Sequence, residues 1–356
     1  MIIDYQHFKN DDYTKQRKLF ELSFPETVGT SIIEDRHYKW KFNQFPSEVN
    51  SYQYIASEPD ELVGYYAAIP YQYQINSKIY SCGMVCDVMT HPDRRGKGIF
   101  TKIGYYATNE MKLAGLGFTT GYPIRPEVIP GHIKVGWKIV FEMPMYLRIV
   151  GLKTLLPKPL SFLAPFLNFF VRILQSWTLI PSSNFQVLNL SREDFLKNHT
   201  SAYEIFLQTW LSEQNNALIK SPAFLEWRTG APDSIYRFLV LKKNINIVGL
   251  SIARPTNLKG VESLAVLDFM VLKEYYRGAK SIHQALWKMA QAYNKDVIVC
   301  MTSRSWAKSY NFFSSLYVKT PAVFSLIVKK LDENIHDKEL FDMTKWHLFW
   351  IDSDDV

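Results

Sequence analysis

Apolar residues along the first third of the chain follow two different periods. In "SYQYIAS" (51–57) and "LVGYYAAIPYQYQI" (62–75) aromatic and β-branched residues crowd together, "NSK" reads as a hairpin turn, and "IYSCGMVCDVMT" (79–90) reads as the partner strand. The pattern predicts an antiparallel meander. Past residue 98 the period lengthens: Ile99, Ile103, Ala107, Met111 and Ala114 recur at helical spacing until "AGLG" stops the run. "FTTGYPI" returns to a strand pattern, and a helical segment leads into "KVGWKIV". The expected order is helix, strands, strand–turn–helix, strand, a mixed α/β arrangement.

The pattern then repeats. "HYKWKFNQFP" (His37 to Pro46) recurs loosely as "FLEWRTGAP" (Phe224 to Pro232), "LVGYYAAIP" (Leu62 to Pro70) as "IVGLSIARP" (Ile247 to Pro255), and "CDVMTHPDRRGKG" (Cys86 to Gly98) as "LDFMVLKEYYRGAK" (Leu267 to Lys280). Three matches in the same order at similar separations argue for two copies of one fold. The expected division is 1–141 for the first copy, 142–190 for an apolar basic connector, 191–330 for the second copy and 331–356 for a C-terminal tail.

Composition adds material for two cores: 356 residues, 47% hydrophobic and 15% aromatic. A formal charge of +7 favours anionic partners without choosing among them. Cys82, Cys86 and Cys300 show no CxxC pairing, so reduced thiols in a cytoplasmic protein, and no metal site, are expected. The N-terminus carries acids and does not read as a signal peptide. The stretch 145–177 lacks Asp and Glu and carries Arg148, Lys153, Lys158 and Arg172. Its apolar run is too short to span a bilayer and Pro165 interrupts it. Either it packs between the copies or it rests on an anionic membrane as a peripheral contact.

Candidate chemistry concentrates at Arg95, Gly96, Lys97 and Gly98, between a strand and a helix. Glycines there let the backbone approach a ligand, and the helix N-terminus offers unpaired N–H groups, so the turn suits a phosphate. Neither the Walker pattern nor GxGxxG is present.

The sequence "VMTHPDRRGKGI" between meander and helix, with the closing "KVGW", resembles the GNAT superfamily of N-acetyltransferases. The tandem members of surface-polysaccharide pathways and the Eis-like aminoglycoside acetyltransferases are the nearest likeness, which covers the first copy well and the second faintly. The resemblance implies tandem domains, each with a mostly antiparallel mixed sheet flanked by helices. It also implies acetyl-CoA as co-substrate, with Arg95, Gly96, Lys97, Gly98 and Ile99 on the pyrophosphate and the backbone of Val88, Met89 and Thr90 along the pantetheine arm. Phe100 stands where the family often has a small residue. The implied reaction is direct attack of an amine on the thioester, with an amino sugar, free or nucleotide- or lipid-linked, as the acceptor and no nucleic acid involved. A tRNA-dependent ligase or a non-catalytic coenzyme-binding protein would fit the same fold, although no long Lys/Arg runs are present.

Where much of the family carries a tyrosine acid, four residues before the closing Gly136, this chain has His132, which can protonate a thiolate. Tyr122 and Tyr105 are alternative donors. Asp87, on the strand beside the acetyl site, can serve as base. Asp268 holds the equivalent place in the second copy, which keeps one glycine of the turn and has Tyr317 where the closing glycine would fall. A structural role for Asp87 therefore stands beside the catalytic one. The second copy is expected to bind no coenzyme, and its Trp306, Tyr310, Phe312 and Phe313 either stack on a sugar or fill a core.

Overall fold

The computed structural model describes residues 3–178 and 184–353. The first half runs β1 (Asp4–His7), α1 (Tyr13–Ser23), α2 (Asp35–Asn43), β2 (Tyr52–Glu58), β3 (Glu61–Ile75), β4 (Lys78–Thr90), α3 (Ile99–Leu113), β5 (Phe118–Gly121), α4 (Ile129–Lys134) and β6 (Lys138–Ile149). Helix α5 (Ala164–Thr178) joins it to the second half. There the order is β7 (Gln186–Ser191), α6 (Arg192–Asn198), α7 (Thr200–Ser212), β8 (Asn216–Leu218), α8 (Pro222–Arg228), β9 (Arg237–Lys243), β10 (Asn246–Leu258) and β11 (Val261–Val271). It closes with α9 (Ala279–Ala292), β12 (Val297–Met301), α10 (Arg304–Ser309), β13 (Val318–Lys330), α11 (Asp337–Leu340) and β14 (Trp346–His347). The fold is mixed α/β, a large mixed sheet flanked by helices.

Each half repeats the other, and the meander forms where the strand periodicity places it. Asn76 and Ser77, both at positive φ, turn the β3–β4 hairpin. The repeated "HYKW" and "FLEW" segments meet face to face. Trp40 and Trp227 stack 5.2 Å apart at 13°, and each indole N–H donates to the other's carbonyl, at 2.7 and 2.8 Å. Such reciprocity is what a pseudo-twofold axis between the halves produces.

The strands are exchanged between halves. The sheet order is β1-β2-β3-β4-β5-β13-β6-β12-β11-β10-β9-β7. Thus β13, the second half's counterpart of β6, pairs with β5, while β6, last in the first half, pairs with β12. The expected boundary at 141/142 falls inside β6, and β7 begins before 190. The stretch 331–356 was expected to be a tail, yet Trp346, Leu348, Phe349, Trp350 and Ile351 are core residues. Local periodicity carries no information on which strand of the other half a given strand will pair with, so the exchange is invisible to it.

Candidate active site

Strands β4 and β5 run parallel only from Cys82 opposite Phe118 to Val85 opposite Gly121. Just beyond, Cys86 pairs with Ala67 but Met89 with Tyr65, so β4 carries one extra residue, and Asp87 takes a φ of 48°. The bulge bends β4 away from β5. The strands part over a cleft of about 550 Å³. Val85, Asp87, Val88, Tyr122 and His132 line one side of it, and Arg17, Trp40 and Lys41 another. Residues 231–234 and Arg254, from the second half, also line it.

At the C-terminal end of β4 the chain enters the glycine turn. Arg94 donates to Glu58 at 3.0 Å and fixes the approach. Gly96 and Gly98 hold φ of 77° and 79°, a region that strains other residues, and no atom lies within 4 Å of where a Cβ would stand at either. Arg95 through Gly98 are exposed. Gly98 caps α3, whose first amides have no intrahelical acceptor. Ile99 is buried against Gly64, where a Cβ would come within 3.0 Å of its side chain, so α3 sits close on β3. The turn therefore fits a pyrophosphate: open backbone, helix N-terminus and two exposed cations. Met89 is buried, while Val88 and Thr90 are half-buried on the parted stretch of β4. Phe100 lies on Gly131, where a Cβ would come within 2.6 Å of its ring, and meets the His132 ring edge-on at 5.0 Å. Gly131 is thus what lets the helix begin with a bulky residue.

The candidate proton-transfer groups differ sharply in setting. His132 is buried between Phe100 and Trp137, its Nδ1 has no hydrogen-bond partner, and burial lowers its pKa to about 4, which makes it neutral at physiological pH. Tyr122 stands one residue past the last β4–β5 pair and borders the cleft; its hydroxyl is buried with no hydrogen-bond partner among the described residues, and burial holds it protonated. Tyr105 is exposed and donates to the Lys134 carbonyl. Asp87 accepts from Lys41 Nζ at 2.8 Å, both facing the cleft. Lys41, Arg17, His37 and Arg254 did not emerge from the sequence as site residues. Lys41, His37 and Arg254 had one signal there, their places in the repeated segments, and Arg17 had none.

The second half keeps the scaffold and loses the opening. β11 bulges in the corresponding stretch, Ile252 pairing with Asp268 and Ala253 with Val266, although without a positive φ at Asp268, and β11 and β12 part after Val266 and Cys300. The chain's C-terminal segment occupies that parting. Phe349 bridges Thr302, whose hydroxyl donates to the Leu348 carbonyl at 2.9 Å, and His347 Nε2 lies 3.2 Å from the Phe269 carbonyl. Asp268 and Lys220 pair at 2.8 Å, fully buried. The counterpart turn, Lys273–Gly278, has no residue at positive φ, and a Cβ on Gly278 would come within 2.8 Å of Leu241. Tyr310 and Phe312 fill the core, and Trp306 donates to the Trp346 carbonyl. Phe313 is exposed. None of these four aromatics lines the cleft.

Residues 4–140 match the family of the Acetyltransferase (GNAT) domain. GNAT domains use acetyl-CoA, and this match supports an acyltransferase enzyme. A search of curated protein sequences finds no match. Among solved structures, the chain is similar to a GCN5-related N-acetyltransferase from Anabaena variabilis, with 12% identity, a TM-score of 0.65, and 93% of this chain and 73% of that one covered. A conserved protein of Enterococcus faecalis, described as a probable N-acyltransferase, gives 10% identity, a TM-score of 0.65 and the same coverages. Eis1 from Mycobacterium abscessus gives 11% identity and a TM-score of 0.58, over 93% of this chain and 74% of that one. At these identities the likeness shows the fold alone. Among the described residues, no group of three or more His, Cys, Asp or Glu could hold a metal ion.

Proposed function

We propose that the protein is an acetyl-CoA-dependent N-acetyltransferase whose first half alone holds the coenzyme and whose acceptor is an amino sugar carrying an anionic group, nucleotide- or lipid-linked. The observation that carries this reading is the β4 bulge opening onto the glycine turn in one half, against the corresponding bulge closed by the C-terminal segment in the other. Acetyl-CoA, when bound, supplies an acyl group as a thioester. Arg95, Lys97 and the amides around Gly96, Gly98 and Ile99 would hold its pyrophosphate, and the free edge of Val88, Met89 and Thr90 its pantetheine arm.

The acceptor enters between the halves. Its amine nitrogen forms a bond to the acyl carbon as the carbon–sulfur bond breaks, and the amine's proton leaves toward Asp87, directly or through water. Lys41 keeps the Asp87 carboxylate oriented. The departing sulfur needs a proton, and His132, neutral with a pKa near 4, is a poor reservoir for one. Tyr122, protonated and beside the parting of β4 and β5, takes that role in this account, with His132 as cleft wall.

Cations decide between acceptor classes. Arg17 donates to the Ile33 carbonyl and Arg254 to Ser234 and Tyr236; neither pairs with a carboxylate among the described residues. A cleft lined by Arg17 and Arg254 repels a polycationic aminoglycoside and attracts a phosphate or carboxylate on the acceptor. The test is coenzyme-thiol release with nucleotide-linked amino sugars and with aminoglycosides as acceptors. Turnover on the first class supports the reading. Turnover on aminoglycosides alone would reverse the acceptor assignment. No stabilisation by acetyl-CoA would leave a tRNA-dependent ligase or a non-catalytic protein.

A further inference from the structure

Helix α5 turns a glutamine inward and a row of phenylalanines outward. In a surface helix the apolar stripe normally faces the core and the polar residues face water. Here the residue driven inward is Gln175, 3% exposed, whose Oε1 accepts from Arg148 Nε at 3.1 Å and from its NH2 at 2.6 Å, while its amide donates to the Ile149 carbonyl. Arg148 is itself fully buried on β6. Outward stand Phe162, Phe166, Phe169 and Phe170, 73%, 64%, 60% and 52% exposed, followed by exposed Ile173. Phe162 lies just before the helix, and the spacing of three, one and three residues from Phe166 to Ile173 keeps the others on one helical face. Phe170 packs on Phe166 at 5.1 Å and on Phe169 at 5.7 Å, so the rings gather into a patch.

Such a patch is costly in water unless something covers it. Charge selects the occupant. Residues 143–191 contain no Asp or Glu, and Lys153 and Lys158 stand exposed on the approach to the helix. A second copy docking by the same face would set these cations against their own kind. α5 has 15 residues and, among the described residues, no helix is long and apolar enough to cross a membrane, so it can lie on a bilayer but not span it.

We propose that the outward face of α5 is a docking surface for an anionic phospholipid bilayer, with the phenylalanines at the acyl boundary and the lysines among the headgroups. This inference does not rest on the acyl-transfer reading. Its test is sedimentation of the full-length protein with phosphatidylcholine vesicles and with vesicles half phosphatidylglycerol, compared with the double variant Phe166→Glu/Phe170→Glu, whose folding is checked by circular dichroism melting. The wild type should partition onto the anionic vesicles, more weakly at about 1 M salt, where the screening length is ~3 Å. The double variant, unchanged in melting because both rings are exposed, should bind at least about tenfold less. Lys153→Glu/Lys158→Glu should cut low-salt binding in the same direction. Absence of wild-type binding, or equal binding by the double variant, would overturn the proposal. So would a wild-type dimer that the double variant dissociates.

Discussion

Two copies of one strand–bulge–strand device stand about a pseudo-twofold axis, one open and one closed. In the first half the parted strands face a cleft, with Asp87 and Lys41 on its wall. In the second, Asp268, the counterpart of Asp87, pairs in full burial with Lys220 rather than with Arg228, which stands in the place of Lys41, and the C-terminal segment lies over the pair. The difference teaches that the bulge alone does not make a site. A bulge makes a gap, and what fills the gap decides whether it holds a ligand or a core. The paired carboxylate also changes meaning with burial: near the cleft it is available to a substrate, whereas deep inside it is a structural charge that depends wholly on its partner.

The largest expected effect breaks that symmetry directly. Lys220→Ala leaves Asp268 buried without its cation, beside Asp352, and should cost about 3–5 kcal/mol in urea denaturation. Lys41→Ala, at the cleft-facing pair, should cost about 1 kcal/mol of stability and lower turnover instead. Equal stability losses would contradict the contrast drawn between the two pairs.

Acid should destabilise both halves through buried histidines. Burial lowers His132 to about 4 and His283 to about 3, from an unfolded value near 6.5. Because the folded form binds the proton less readily, the stabilisation is complete above pH 6.5 and is lost as pH falls below it, by about 3 kcal/mol for His132 once pH 4 is reached. Urea midpoints at pH 7 and pH 4.5 should therefore move closer together in His132→Phe than in the wild type. An unchanged gap would mean that His132 reaches solvent in solution.

Catalysis sharpens the assignment within the open half. Tyr122→Phe should lower kcat and kcat/KM together by about 10², with coenzyme binding kept. His132→Ala should lower kcat less than about tenfold. The reverse ranking would return the acid role to His132. A raised KM with unchanged kcat in the histidine variant would make it a recognition residue. A smaller effect tests the axis: Trp40→Phe strands the Trp227 carbonyl that its indole reached and should cost about 1–3 kcal/mol.

Much of this was legible in the chain. The repeated segments announce two copies, Asn76 and Ser77 announce the hairpin, and the run Arg95 to Gly98 announces a glycine turn at a helix N-terminus, because each is a local pattern with a local cause. Three features were not legible. The exchange of β6 and β13 depends on partners far apart in sequence, and neither strand's composition names its neighbour. The closure of the second half depends on residues 346–353, whose aromatic content reads equally well as a tail or a core. The cleft wall is assembled from Arg17, Trp40 and Arg254, which share no spacing. His132 shows the limit from another side: its position suggested an acid, and only its burial between Phe100 and Trp137 exposes the difficulty.

The claim that one half is open to coenzyme and the other closed is tested most directly by thermal stabilisation with acetyl-CoA. Saturating ligand at a hundred times Kd contributes about 2.7 kcal/mol to the native state. The wild type and Arg277→Glu should both show the resulting rise in melting temperature, whereas Arg95→Glu and Gly96→Asp should show none, the latter because φ at residue 96 is 77° and the added carboxylate would face the phosphates. Loss of the shift in Arg277→Glu with retention in Arg95→Glu and Gly96→Asp would mean that the halves have been assigned the wrong way round.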